Sequence, residues 1–244
     1  VEEIALVDEP TAAALGAGLK PGSKLLVVDL GGSTIDISLV AIEGGEGRAA
    51  PIAQLLRFNG KDIDGTSRQI SRDAKVLGKA GLRLGGRDID KWIANHLFPE
   101  AELSEKLLNS AERLKCRLSN KLLKAKKPIA EQSIEVNRNG TKILSLCRKD
   151  LEELLIRKGF LESLRGILKK VLSRGRSVGC ELHNLDGVIA IGGGSRIPLI
   201  QEWLKKETFP AKLITPPPIE AVAKGALSLT PGVKVLDVLN RSFS

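Results

Sequence analysis

"VVDLGGSTIDISLV", residues 27–40, places two runs of strand-forming residues around a Gly-Gly-Ser-Thr turn and sets an acid on either side of it, Asp29 before and Asp36 after. Gly31 and Gly32 suit a β-hairpin, because glycine adopts the positive φ angles of tight turns at no steric cost. The spacing predicts strands over 24–29 and 34–42. A turn of this kind needs no acids, so Asp29 and Asp36 call for a second explanation.

A second strand-then-glycine turn, "IAIGGGSR" at 189–196, strengthens one. Each turn removes side chains so that backbone N–H groups can approach an oxyanion. Neither fits the P-loop pattern or the dinucleotide fingerprint. Phosphoryl transfer needs Mg²⁺, donors for phosphate oxygens and an oriented nucleophile. Asp29, Asp36 and Glu9 beside Pro10 are of the right type to hold a hydrated Mg²⁺ and orient that nucleophile, since magnesium prefers oxygen ligands and keeps several waters. Taken singly, each acid has a plainer role: Glu9 caps a helix and Asp29 closes a turn.

The 244 residues suffice for one large or two small domains, and 42% hydrophobic content points to a globular protein rather than a disordered one. No apolar run is long enough to cross a bilayer and no leader opens the chain, so no membrane association is expected. Three cysteines, Cys116, Cys147 and Cys180, are widely spaced and unpaired in pattern, which points to a reducing cytoplasm. His96 and His183 read as structural, and no transition-metal centre is expected. A net charge of +9 suits a polyanion, but 3% aromatic content and the absence of tyrosine remove the stacking platform of a single-strand binder, so nucleic acid is disfavoured. A start at Val1 and the absence of methionine read as a piece of a longer protein.

Along the chain, a strand at 4–7 and a helix through "DEPTAAALGAGL", ended by Gly16 or Gly18, precede the hairpin. "EGGEG" at 43–47 reads as a turn, followed by a strand near 51–58 and a polar helix from about 66 to 80. "LRLGGRDIDKWIANHL", 82–97, leads from a turn into an amphipathic helix. The next helix carries an apolar stripe of Leu107, Ala111, Leu114 and Leu118, with Glu112, Lys115, Cys116 and Ser119 beside it. Asn139-Gly140 marks a hairpin within 133–146. Residues 148–176 read as helical, 187–194 as a buried strand entering the glycine turn, and "SRIPLIQEWLKKE" as a helix whose start could seat a phosphate. "TPPPIEAVAKGALSL" reads as a proline approach to a helix, and 233–244 as a linker-like tail or an unfinished strand. The class is α/β with a mixed sheet.

In order and spacing, "DEPTAAALGAG", "VVDLGGSTIDISLV", "LGGRDIDKWIANHL", "SAERLKCRLS", "IAIGGGSRIPLIQEWL" and "PPPIEAVAKGAL" resemble the nucleotide-binding domain of the heat-shock protein 70 (DnaK-type) chaperones. The resemblance covers nearly the whole chain, with 43–81 longer than its counterpart. It implies an actin-like, ribonuclease H-like ATPase fold, of which this chain is the second lobe. The base subdomain would comprise 1–84 with 157–232, and 85–156 would form a smaller inserted α+β subdomain.

The resemblance also implies roles. Asp29 and Asp36, with Glu9, would surround hydrated Mg²⁺ and the attacking water. Gly31, Gly32 and Thr34, with Gly192 and Gly193 of the second turn, would meet the phosphates of ATP or ADP, and Glu112, Lys115, Ser119 and Arg196 would hold the adenosine. The implied partners are the first lobe, a peptide-binding domain, co-chaperones, a nucleotide exchange factor and unfolded clients, in a cytoplasmic stress response. Departures stand at Ser33, Arg87, Cys116 and Ile219. The arginine expected at 116 would add a cation–π contact worth roughly 0.5–2 kcal/mol, so weaker or altered adenine-nucleotide binding is expected. A single lobe should turn over ATP very poorly, although the parent would be an ATPase. The same departures motivate a second reading, an actin-like interaction module with a degenerate nucleotide site; a sugar kinase of the same fold is a third.

Overall fold

The computed structural model describes residues 9–17, 19–48, 70–120, 128–130, 134–135, 141–215 and 235–236. In chain order, helix α1 (Glu9–Gly16) precedes strands β1 (Lys24–Leu30), β2 (Ile35–Arg48) and β3 (Ile70–Leu82). Helices α2 (Gly86–Leu97) and α3 (Glu105–Leu118) follow, then four two-residue strands, β4 (Ile129–Ala130), β5 (Ile134–Glu135), β6 (Thr141–Lys142) and β7 (Ser145–Leu146). Helices α4 (Arg148–Arg157) and α5 (Phe160–Arg176), strand β8 (Gly187–Ile191), helix α6 (Pro198–Glu207) and strands β9 (Lys212–Ile214) and β10 (Val235–Leu236) complete it.

One mixed sheet in the order β10-β3-β2-β1-β8-β9 organises these elements. β1 pairs antiparallel with β2 and parallel with β8. Its apolar run is buried on both faces because successive side chains alternate. Leu26, Val28 and Leu30 join one core, while Leu25 and Val27 join another with Ala13, Ala14 and Leu15 of α1. β8 divides likewise, Val188 and Ala190 facing the first core and Ile189 and Ile191 the second. The first core runs on through the predicted stripe of Leu107, Ala111, Leu114 and Leu118, all buried, and through Ile89 and Ile93 of α2. Trp92 meets Phe160 edge to face, with centroids 6.2 Å apart.

Three expectations are corrected. Residues 70–80 belong to a strand, not a helix: pairing with β2 from Ile35↔Leu82 to Arg48↔Ile70 overrides the helical leaning of its Lys, Arg and Ala residues. The 43–47 segment continues β2 rather than turning, its glycines falling at an irregularity between Gly44 and Arg48 where an interrupted ladder tolerates them. The long helix over 148–176 is two, broken at Gly159, whose φ of +69° is the left-handed conformation that ends α4. Val235–Leu236 of the tail pairs with β3 at the sheet edge. The expected strands at 4–7 and 51–58, Asn139-Gly140 and the helix after Thr215 lie outside the described residues.

Helix α5 lies against β2 and β3 through small residues. A Cβ on Gly78 would come within 3.1 Å of the Val171 carbonyl, and one on Gly175 would overlap the Leu39 side chain and stand 3.0 Å from the Cys180 carbonyl. Gly166, on the exposed side of the same helix, has open space. Gly166→Ala is therefore expected to stabilise by about 0.5–1 kcal/mol through helix propensity alone. Gly175→Ala gains that same increment but overpacks the core at about 1–3 kcal/mol, so its net effect is destabilising. Urea denaturation of the two variants would show midpoints moving in opposite directions.

Candidate nucleotide site

The first glycine turn is built by its neighbours as much as by its own sequence. Gly31 N–H donates to the Thr34 carbonyl at 3.0 Å, closing the loop at the end of the β1–β2 ladder. At its back stands the start of α2, where Gly86 N–H donates to the Gly31 carbonyl at 3.0 Å and Arg87 N–H to the Gly32 carbonyl at 2.8 Å. A Cβ on Gly85 would lie 2.7 Å from the Gly32 carbonyl group and the Ser33 nitrogen, so only glycine lets the helix come this close. Asp88 fixes the entry by accepting from Gly85 N–H at 2.9 Å. With the loop's carbonyls drawn toward α2, the N–H groups of Gly32, Ser33 and Thr34 donate to nothing among the described residues.

The second turn stands beside the first because β1 and β8 run parallel with Asp29 opposite Ile191. Both strands thus release their glycines at the same end of the sheet, where ligands of α/β folds bind. Gly192 has φ +78°, and a Cβ there would lie 2.7 Å from Asp29 Oδ1. A 3-10 turn, Gly193–Arg196, follows; it is pinned by Ser195 Oγ donating to the Gly192 carbonyl and by Gln201 Nε2 donating to the Ser195 carbonyl. The N–H groups of Gly193 and Gly194 also lack an acceptor among the described residues.

A cavity of about 270 Å³ lies between the turns and helices α2 and α3. Gly31, Gly32 and Gly193 reach it, as do Glu112, Lys115, Ser119 and Arg196, so all four residues assigned to the adenosine share one wall system. Thr34 and Gly192 do not line it. Among the departures, Cys116 lines the cavity as a free thiol whose pKa desolvation pushes up; Ser33 and Arg87 are exposed, and Ile219 lies outside the described residues.

Lys115 has a partner that its sequence neighbourhood does not suggest. Its Nζ lies 2.8 Å from Asp90 Oδ1, donates to Oδ2 at 2.9 Å and donates to the Gly86 carbonyl at 3.0 Å. Both side chains are nearly out of solvent. Burial raises the Asp90 pKa, and the Lys115 hydrogen bond and charge oppose that rise. Lys115 therefore fastens α3 to the start of α2 as well as facing the cavity. Asp90, absent from the sequence-based set, had one signal: it lies next to Ile89 on the inward face of an amphipathic helix, whereas Asp88 serves the cap.

Asp29 and Asp36 lie near the sheet end, and Glu9, the first residue of α1, is close enough to Asp29 for its charge to act on it. Asp29 and Asp36 are register partners across β1 and β2. The Asp29 pKa is pushed up to about 6, first by burial and then by the charges of Glu9 and Asp36. Three hard-oxygen carboxylates of which one resists ionisation form a donor set suited to a divalent cation. Among the described residues, no three His, Cys, Asp or Glu side chains are grouped so as to hold a metal ion.

A protein-family model described as "Hsp70 protein" matches residues 1–69 and 75–238.

Two outcomes follow from these charges. The folded state holds the Asp29 proton up to about pH 6 and the unfolded chain only to about 3.8, so ionising Asp29 lowers stability as pH rises between those values, and the full cost is present above about pH 6. Asp29→Asn should therefore raise Tm at pH 7.5 by about 2–4 °C, the effect of about 1 kcal/mol in a domain of this size, with the gain vanishing below about pH 4. Lys115→Ala should act oppositely, costing about 3–5 kcal/mol by leaving the Asp90 carboxylate buried and unpaired. Thermal scans across pH and denaturant titration would check the two.

Proposed function

The chain belongs to the Hsp70 family and has its actin-like ATPase fold, and we propose that it is the second lobe of a DnaK-type nucleotide-binding domain, coupling nucleotide state to client binding in its parent protein. The observation that carries this reading is that glycines of two turns with acceptor-less amides, Gly32, Gly193 and Gly194, line one cavity, with Asp29 and Asp36 at the adjoining strand ends and the charge of Glu9, the first residue of α1, acting on Asp29.

The nucleoside would enter the cavity, its ribose hydroxyls within reach of Glu112 and Lys115, and its base between Cys116 and Arg196. Amides of Gly32, Ser33, Thr34, Gly193 and Gly194 would receive phosphate oxygens, as backbone nests do. Because these donors are backbone groups, Ser33 keeps the N–H that the loop contributes and adds only an exposed hydroxyl. Mg²⁺, when bound through waters to Asp29, Asp36 and Glu9, supplies charge neutralisation for the phosphates. Asp29 and Asp36 are also the groups to orient a water and accept its proton. The base subdomain, 1–84 with 157–232, would carry the phosphate and metal residues, and 85–156 would close over the nucleoside.

Lysine 115 is a poor probe of binding, because its removal also uncovers Asp90. Glu112 and Arg196 are exposed and line the cavity, so their variants test the ligand without testing the fold. Calorimetric titration of Mg-ADP is expected to show binding that Glu112→Ala weakens about tenfold, the loss of one or two hydrogen bonds, and that Arg196→Ala weakens comparably. ATP hydrolysis is expected only after a first lobe from an Hsp70 relative is added. Binding without any hydrolysis in that mixture would favour the interaction-module reading.

A further inference from the structure

Asp36 is the middle residue of a row of three across the sheet, with Asp29 as its register partner on β1 and Gly81 on β3. Register partners on antiparallel strands project to the same face, so whatever stands at 81 shares space with the Asp36 side chain. The carboxylate occupies that space. A Cβ built on Gly81 would overlap Asp36 Oδ1, lie 3.3 Å from its Cγ and lie 3.4 Å from the Ile35 carbonyl.

Nothing in the backbone asks for glycine here. Gly81 is not among the residues with positive φ, and glycine inside a strand weakens it. What glycine supplies is room. Like charges directly opposite each other across a ladder repel, and the space over Gly81 is where the Asp36 carboxylate rests.

We propose that Gly81 is a positioning residue for the acid pair: its missing side chain fixes where the Asp36 carboxylate rests, and so the gap to Asp29 across which a hydrated divalent cation is held. The proposal rests on the reading of these acids as magnesium residues. A methyl group at 81 displaces the carboxylate while leaving the strand paired, because the atom it meets is the end of a mobile side chain.

The test compares the wild-type chain with Gly81→Ala. Tm, a crystal structure and calorimetric ADP titrations with Mg²⁺ and with EDTA are the readouts. The expected result is a Tm within about 4 °C of wild type, a displaced Asp36 carboxylate, unchanged metal-free ADP affinity, and a loss of about tenfold in the affinity that Mg²⁺ adds, the usual size of a disturbed outer-shell contact. An Asp36 that stays in place, or a metal increment that survives its displacement, overturns the proposal. Wild-type protein that binds no ADP would defeat the nucleotide reading instead, and the position of Asp36 in the Gly81→Ala crystal would still decide the role of Gly81. If Gly81→Ala loses cooperative unfolding, the double variant with Asp36→Ala decides: recovery assigns the space to Asp36, and failure to recover overturns the assignment.

Discussion

Two backbone hydrogen bonds, from Gly86 and Arg87 at the start of α2 to the carbonyls of Gly31 and Gly32, set the geometry on which the site depends. A helix start presents free N–H groups and is by itself an anion site. Here the first two of those groups, on Gly86 and Arg87, are committed to the neighbouring loop, whose own amides at Gly32, Ser33 and Thr34 have no acceptor among the described residues. The Lys115 bonds to Asp90 and Gly86 hold the same junction from α3, so the loop, the two helices and the cavity between them form one connected arrangement.

The acids at the sheet end work against the fold that carries them. Asp29 is partly buried beside two other carboxylates, which is costly for an ionised group and raises its pKa. Such a cost is typical of sites where charge is kept for a ligand rather than for stability. Asp90 is also buried, yet it has Lys115 within 2.8 Å, so the two buried acids differ in whether the protein supplies the compensating charge. Supply from within marks Asp90 as architectural, and supply from a bound cation is the reading for Asp29.

How far these features were legible in the sequence follows from the range of the interactions. The hairpin strands, both glycine turns and the Leu107–Leu118 stripe are local patterns and stand where their residues place them, but Gly31 and Gly32 do not have the positive φ expected of them; the carbonyls they offer the start of α2 are what the first turn uses. β3 was not legible, because Ala74, Gly78 and Ala80 present too little apolar bulk for an alternating signal and the pairing that makes them a strand comes from β2. The break at Gly159 carried a signal, an isolated glycine in a helical run, outweighed by the charge pattern of 148–176. The Asp90–Lys115 pair joins residues on two helices, and no local pattern reports a partner 25 positions away. The candidate site residues were named through resemblance, while the glycines at 81 and 85, which leave space for Asp36 and for the Gly32–Ser33 backbone, became visible only in three dimensions.

The parallel register of β1 and β8, which releases two glycine turns at one end of the sheet, makes the cradle a property of main chain and strand order. Side-chain substitutions can change which base is preferred or whether water is activated, but they cannot delete a peptide N–H unless they introduce proline. On the proposed reading, a lineage carrying this register could drift far in catalytic competence and keep its cradle for phosphate oxygens, so binding would be the last trait to decay and the first available for reuse.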